Sequence, residues 1–202
     1  MSGAAAIVLA GGKSTRMGKD KALIVVQKDK MLAGVIRLLS KEFSEIIISA
    51  SDNLYGELGL KTVPDIYPGR GPLGGIHAGL RASSYDVNFV VACDMPFINT
   101  RLAAYMVDAA PGYDIVVPRL GDYYQPLFAV YTKNCLPAIE RQLNQGRNKI
   151  TTFYPGMKTR FVEPEEIEKY GDPNELFFNV NTPVDLEMAK GMAGRKLDGS
   201  KV

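Results

Sequence analysis

The chain has 202 residues, 46% hydrophobic and 23% charged, which suits one soluble globular domain with a substantial core. With 24 basic residues against 22 acidic, the net charge of +2 is too small an excess for a protein whose main partner is a nucleic-acid polymer. A single histidine, His77, excludes a site built from several imidazoles and argues against a histidine-based nucleophilic triad. No apolar run approaches membrane-spanning length, so no membrane partner is expected. Cys93 and Cys135 have no metal-ligand or redox spacing, and Met1-Ser2-Gly3 is no charged leader. The expectation is two structural thiols in a reducing cytoplasm.

Ala4 to Leu9 is an unbroken apolar run, the pattern of a strand buried on both faces. It runs into Ala10-Gly11-Gly12 and then four cations, Lys13, Arg16, Lys19 and Lys21, interleaved with Ser14, Thr15 and Gly18. Glycines let a backbone approach phosphates and present its N–H groups, arginine forks onto phosphate oxygens, and lysine acts as a point charge. The loop therefore reads as a polyphosphate receiver. It is not a P-loop, because aligning Gly12-Lys13-Ser14 with the closing GK[ST] puts Ile7 where the opening glycine belongs. Nor is it a dinucleotide loop, because Lys13 stands two places after Gly11.

Met31 to Phe43 carries apolar residues at helical spacing, and Glu45 to Ser49 reads as a second buried strand. Asp52 to Gly56 reads as a loop or one short turn of helix. Lys61 to Asp65 reads as a third strand ending on a carboxylate. Pro68 to Gly75 is a second glycine-rich loop, opening a helix over 76–82. Asn88 to Cys93 is a fourth strand, followed by Asp94-Met95-Pro96, a helix over 100–109 and a fifth strand over 114–118. Tyr123 to Tyr131 reads as a strand, and Lys133 to Asn144 as a helix to which Pro137 objects. Lys158 to Val162 is a late strand. Asn179 and Asn181 alternate with Phe178 and Val180 in strand fashion, and Thr182-Pro183 opens a helix as N-cap and first turn.

Strands alternating with helices predict an α/β fold, a three-layer α/β/α sandwich around a largely parallel, Rossmann-like sheet. Residues 1–190 form one domain, and 191–202, small and charged, form a tail expected to be disordered. Ligands of such sheets sit at the carboxyl ends of the strands, where the loops after Leu9, Ser49, Asp65 and Cys93 all emerge.

Asp94 is the sharpest residue after the first loop. A carboxylate ending a buried strand opposite a phosphate loop suits Mg²⁺, which takes one or two carboxylates and fills its shell with water and phosphate oxygens; the plainer reading is a helix N-cap or a solvated strand end. Asp65 suits either a nucleotide contact or a turn cap, and Lys21 either charge neutralisation or a surface pair. Gly71, Gly74 and Gly75 suit close packing. Asn179, Asn181 and Gln125 suit either a polar heterocycle or local turn-holding. His77 reads as a helix residue with local hydrogen bonds and no role.

Taken together, Leu9-Ala10-Gly11-Gly12-Lys13-Ser14, Arg16-Met17-Gly18 and Asp20-Lys21 resemble the N-terminal motif of the molybdenum cofactor guanylyltransferase (MobA) family. Val63-Pro64-Asp65, Gly71 to Ile76, Cys93 to Phe97 and Asn179-Val180-Asn181-Thr182-Pro183 match in the same order, over about residues 5 to 190. The resemblance implies a nucleotide-diphospho-sugar transferase-like fold and transfer of GMP from GTP to molybdopterin, bare or molybdenum-loaded, with Mg²⁺ and release of pyrophosphate. It implies nucleotide contacts from Leu9, Ala10, Gly11, Gly12, Lys21, Asp65 and Asp94, catalytic roles for Arg16, Lys21 and Asp94, and Asp94 as metal ligand. Asn179 and Asn181, with Gly74 and Gly75, fall to the acceptor side, and other cofactor-assembly proteins become expected partners. In one place the chain departs: some members have asparagine after the second strand, and this chain has Ser49. The rivals are a related nucleotidyltransferase using another base (CTP) or a sugar-phosphate acceptor, and a non-catalytic GTP-binding adaptor. Retention of Arg16, Lys21 and Asp94 disfavours the adaptor.

Overall fold

The computed structural model describes residues 3–10, 25–26, 29–50 and 59–199. Strand β1 (Ala4–Leu9) is buried along its whole length. Ala4, Ala6 and Val8 face one apolar cluster while Ile7 and Leu9 face another, so no position on it is free to be polar. A ribbon of β2 (Val25–Val26) and β3 (Asp29–Lys30) leads into α1 (Met31–Leu39). This helix closes before the expected Phe43, where the Ser40 hydroxyl bonds back to the Arg37 carbonyl and competes with further helix.

Next come β4 (Glu45–Ser49), β5 (Lys61–Val63) and α2 (Pro72–Ala82). β5 stops two residues short of Asp65. α2 starts four residues earlier than predicted: Gly71, at φ 62°, turns the chain in a conformation that a side chain resists, and Pro72 opens the helix. Gly74 and Gly75 are therefore first-turn helix residues and not loop.

β6 (Val87–Ala92), α3 (Thr100–Asp108) and β7 (Ile115–Leu120) follow. Asn99 caps α3, accepting hydrogen bonds from the backbone of Arg101 and Leu102. The predicted strand 123–131 is split into β8 (Tyr123–Tyr124) and β9 (Phe128–Thr132) by a turn around Pro126. The predicted helix 133–144 divides into a 3-10 turn over 133–135 and α4 (Leu136–Asn144), so Pro137 sits harmlessly in the first turn.

A 3-10 segment over 150–156, β10 (Thr159–Val162), α5 (Pro164–Ile167), α6 (Pro173–Leu176) and α7 (Pro183–Gly199) complete the order. Residues 177–182 are irregular backbone and not a strand. α7 continues nine residues past the predicted domain end at 190, where a disordered tail was expected. Ala189 and Ala193 hold that extension, packing on Met31, Phe97 and Val180.

The main sheet runs β10-β7-β9-β6-β1-β4-β5 with β8 at the side of β7. β6, β1, β4 and β5 are parallel, β10 is parallel to β7, and β9 is antiparallel to both of its neighbours. One apolar cluster joins the sheet to α1 and α3, the other to α2 and α4, which makes the three layers. No described helix is long and apolar enough to cross a membrane.

Candidate active site

From β1 the chain moves outward to β4 and β5 on one side, and it reaches β6 on the other. The switch point, where open α/β sheets bind ligands, thus falls between the carboxyl ends of β1 and β6. A row of backbone hydrogen bonds carries the sheet out to that edge. Ala50 N donates to Val63 O at 3.1 Å, Ala10 N to Ser49 O at 2.9 Å, Cys93 N to Leu9 O at 3.0 Å and Ala92 N to Leu127 O at 3.0 Å. Leu9, Ala10, Ser49 and Asp94 are thereby fixed side by side.

Asp94 is half-buried just past β6, with its Oδ1 shut off from solvent. Its backbone carbonyl accepts from Val180 N at 2.9 Å, which ties the 177–182 segment to the site. Among the described residues no three His, Cys, Asp or Glu side chains converge to hold a metal by themselves. A lone strand-end carboxylate suits a hard cation that fills its remaining positions with water and phosphate oxygens.

Asp65 lies on the far side of β1. Burial pushes its carboxyl group above the usual range, while a hydrogen bond from Ser49 pulls the other way. Ser49 is 2% exposed, so its short hydroxyl side chain serves as a buried support for Asp65. The glycines of α2 make this possible. A Cβ on Gly75 would lie 2.9 Å from Ser49 Oγ and 3.1 Å from Leu9 Cδ2, and one on Gly74 would lie 3.4 Å from Asp65 Oδ2.

The expected acceptor group therefore divides. Gly74 and Gly75 sit with Asp65, Ser49 and Leu9, whereas Asn179 and Asn181 flank Val180 beside Asp94. Asn179 is half-buried and donates to the Phe177 carbonyl at 2.9 Å; Asn181 is exposed. Thr182 does cap α7: its hydroxyl accepts from Asp185 N, and the Asp185 carboxylate accepts from Thr182 N. Gly11, Gly12, Arg16 and Lys21 lie outside the described residues, as do Lys13 and Lys19 and the 52–56 segment.

Sequence reasoning missed two features near this edge. His77 is 1% exposed, and its hydrogen bond is not local: Nε2 meets Glu140 Oε1 of α4 at 3.0 Å, while its ring packs nearly at right angles to that of Tyr67 at 5.0 Å. Tyr131 and Tyr154 share a buried hydrogen bond of 2.7 Å, with burial driving both phenol groups upward. The two tyrosines lie 23 residues apart in sequence, with no spacing pattern that pairs them. Cys93 and Cys135 are both buried, and burial first of all lifts the Cys135 thiol to about 12, which leaves it inert.

A mostly parallel sheet between helix layers, with a carboxylate at its switch point, is the architecture of an α/β nucleotide-binding fold. The crystal structure of molybdopterin-guanine dinucleotide biosynthesis protein A from Archaeoglobus fulgidus superposes with a TM-score of 0.83 at 27% identity, covering 95% of this chain and 99% of that one. The family model of the MobA-like NTP transferase domain matches residues 6–157. A probable molybdenum cofactor guanylyltransferase of Pelotomaculum thermopropionicum is 46% identical over 197 residues, 97% of this chain and 96% of that protein. One from Clostridium perfringens is 40% identical over 187 residues, 90% and 93% of the two chains. The chain belongs to the MobA-like NTP transferase family.

Proposed function

We propose that this protein is a molybdenum cofactor guanylyltransferase, transferring GMP from GTP to molybdopterin or its molybdenum-loaded form. The observation that carries this reading is the hydrogen-bonded carboxyl edge, which sets Leu9 and Ala10, the Ser49–Asp65 pair and Asp94 around one switch point. Its relatives bear that activity in their names.

In this reading the backbone of Leu9 and Ala10 and the carboxylate of Asp65 orient the nucleotide. A terminal phosphate oxygen of the acceptor attacks the α-phosphorus, the bond to the β-phosphate oxygen breaks, and pyrophosphate leaves with the electron pair. Arg16 and Lys21 hold the departing phosphates and offset their growing charge. A phosphate monoester is already a nucleophile near neutral pH, so no side chain needs to take a proton, and orientation carries much of the rate. Asp94 would hold Mg²⁺, which supplies charge neutralisation across the phosphates when bound. The compartment consistent with two buried cysteines in no disulfide with each other is a reducing cytoplasm.

Pyrophosphate release from GTP, CTP, UTP and ATP, each with Mg²⁺ and molybdopterin, tests this. Release from GTP alone, dependent on the pterin and lowered roughly 10²–10³-fold in Asp94→Ala, is the expected result. Preference for CTP would keep the chemistry and overturn the product. Binding of GTP without turnover would leave a nucleotide-binding adaptor.

A further inference from the structure

Asp94 divides the carboxyl edge of the sheet. Leu9, Ala10, Ser49 and Asp65 all lie on its β1–β4–β5 side. On its other side the neighbour of β6 is β9, and because β9 runs antiparallel, the turn that enters it comes to this same edge. That turn, Gln125-Pro126-Leu127, is joined to β6 by the hydrogen bond from Ala92 N to Leu127 O, two residues before Asp94.

The turn is held more firmly than a connection between strands requires. Gln125 N donates to Pro118 O and Phe128 N to Gln125 O, each at 3.0 Å. From beneath, the Tyr131 hydroxyl donates to the Pro126 carbonyl at 2.8 Å, so the proton in its 2.7 Å bond to Tyr154 comes from Tyr154. Both phenols are buried and neutral, and together they form a two-link chain that ends on the turn. Phe128, just after the turn, packs edge-on against Phe177 at 5.4 Å, two residues before Asn179. The Gln125 turn and the Asn179 segment thus reach Asp94 from adjoining positions. Asn179 commits its amide to the Phe177 carbonyl, whereas the half-buried Gln125 carboxamide bonds to no other described residue.

We propose that Gln125, positioned by the Tyr131–Tyr154 pair, recognises the acceptor by pairing its carboxamide with the amide edge of a planar nitrogen heterocycle. The inference rests on the transferase reading above. In-line displacement brings the acceptor in opposite the leaving pyrophosphate. With pyrophosphate assigned to the loop after β1, the β9 side is where the acceptor enters. A carboxamide offers one acceptor oxygen and two N–H donors in a plane, the complement of a ring that carries adjacent N–H and C=O groups.

The test compares wild type with Gln125→Ala, Gln125→Glu and Tyr131→Phe. It measures KM for molybdopterin and for GTP, direct binding of molybdopterin by calorimetry, and thermal midpoints. Gln125→Ala is expected to raise the molybdopterin KM and Kd about tenfold while the KM for GTP and the midpoint stay put. Gln125→Glu, which keeps the size and removes both N–H donors, is expected to lose as much. Tyr131→Phe should raise the molybdopterin KM by a smaller factor and leave that for GTP alone. Equal rises in both KM values would overturn the positioning role of the phenols. An unchanged molybdopterin Kd in Gln125→Ala would overturn the proposal even with a fully active wild type. Molybdopterin binding that weakens in Gln125→Ala, in an enzyme that never releases pyrophosphate, would support Gln125 and sink the transferase reading. A wild type that binds no molybdopterin would sink both.

Discussion

The two sides of Asp94 are built by opposite means. On the β1–β4–β5 side, elements come close because side chains are missing. A Cβ on Gly79 would lie 2.4 Å from Ile7 Cγ2, so α2 can cross β1 at this distance only as glycine. On the β9–β7–β10 side, large side chains are locked by polar contacts. Tyr131 bonds Tyr154, the Arg119 guanidinium forks onto Glu163 while lying 4.7 Å over the Phe161 ring, and Tyr124 stacks on Phe161 at 5.3 Å. The first side should be intolerant of added volume, and the second of lost hydroxyls and charges. Between them stands one node, Glu140 of α4, which receives both His77 and Arg81 of α2.

The largest effect on folding is expected from adding one methyl group to the glycine side. Gly79→Ala should destabilise the protein by about 1–3 kcal/mol, because either α2 must lift or Ile7 must leave its rotamer. Urea unfolding measures it, and Ile7→Ala in the same chain should recover part of the loss. A Gly79→Ala protein as stable as wild type would show that this crossing has slack. On the other side, the matching change is a deletion. Tyr154→Phe leaves the ring in its apolar site and removes one buried donor, at a cost of about 1 kcal/mol. The same substitution should leave the KM for GTP unchanged, since the hydrogen bond and ring contacts of Tyr154 run to Tyr124, Tyr131 and Phe153.

That contrast also sorts what the sequence makes legible. Buried parallel strands carry their own signature, a continuous apolar run; β1, β4 and β6 are readable from the runs Ala4–Leu9, Ile46–Ile48 and Phe89–Ala92. Glycines and strand-end carboxylates are readable too, and Asp65 and Asp94 emerge at one edge as expected. The aromatic side is less legible. Whether β9 runs parallel or antiparallel depends on how Pro126 breaks the 123–131 run, and the pairing of Tyr131 with Tyr154 spans 23 residues with no spacing rule to announce it. His77 with Glu140 is the same case at a separation of 63 residues. Gln125 is ambiguous in sequence for the same reason: only the antiparallel course of β9 brings its turn to the edge that Asp94 occupies.

Acid should break the second side first. Burial raises the Glu166 carboxyl, but bonds from the Glu163 backbone, the Tyr105 hydroxyl and Arg160 outweigh it and bring the group down to about 2 from an ordinary 4.5. A carboxyl lowered by folding stabilises the fold above its unfolded value, and that contribution is lost as pH falls through the folded one. Wild type should therefore lose stability between about pH 4.5 and 2 more steeply than Glu166→Gln, which has no proton to take up there. Parallel acid unfolding curves for the two proteins would remove Glu166 from the account. The pair is partly exposed, so the difference should be modest and should shrink in salt.

The smallest effect is expected at Asp65, and its sign is reversed. Here burial outweighs the Ser49 hydrogen bond, and the folded carboxyl lies above its ordinary 3.8. A raised carboxyl favours the fold while protonated, and that advantage disappears as pH rises through the folded value. At neutral pH the ionised Asp65 is a slight burden on the fold, retained at the edge where a nucleotide is expected. Asp65→Asn removes the charge, keeps the shape and still pairs with Ser49. It should melt slightly higher than wild type at neutral pH, and the gap should close as the pH is lowered below the carboxylate range. The same variant should bind GTP more weakly, since a carboxamide has one acceptor oxygen in place of two. A gap that failed to close in acid would assign the gain to packing. A variant neither more stable nor weaker in binding would make Asp65 a turn cap, and leave the glycine side of the site to act through its backbone.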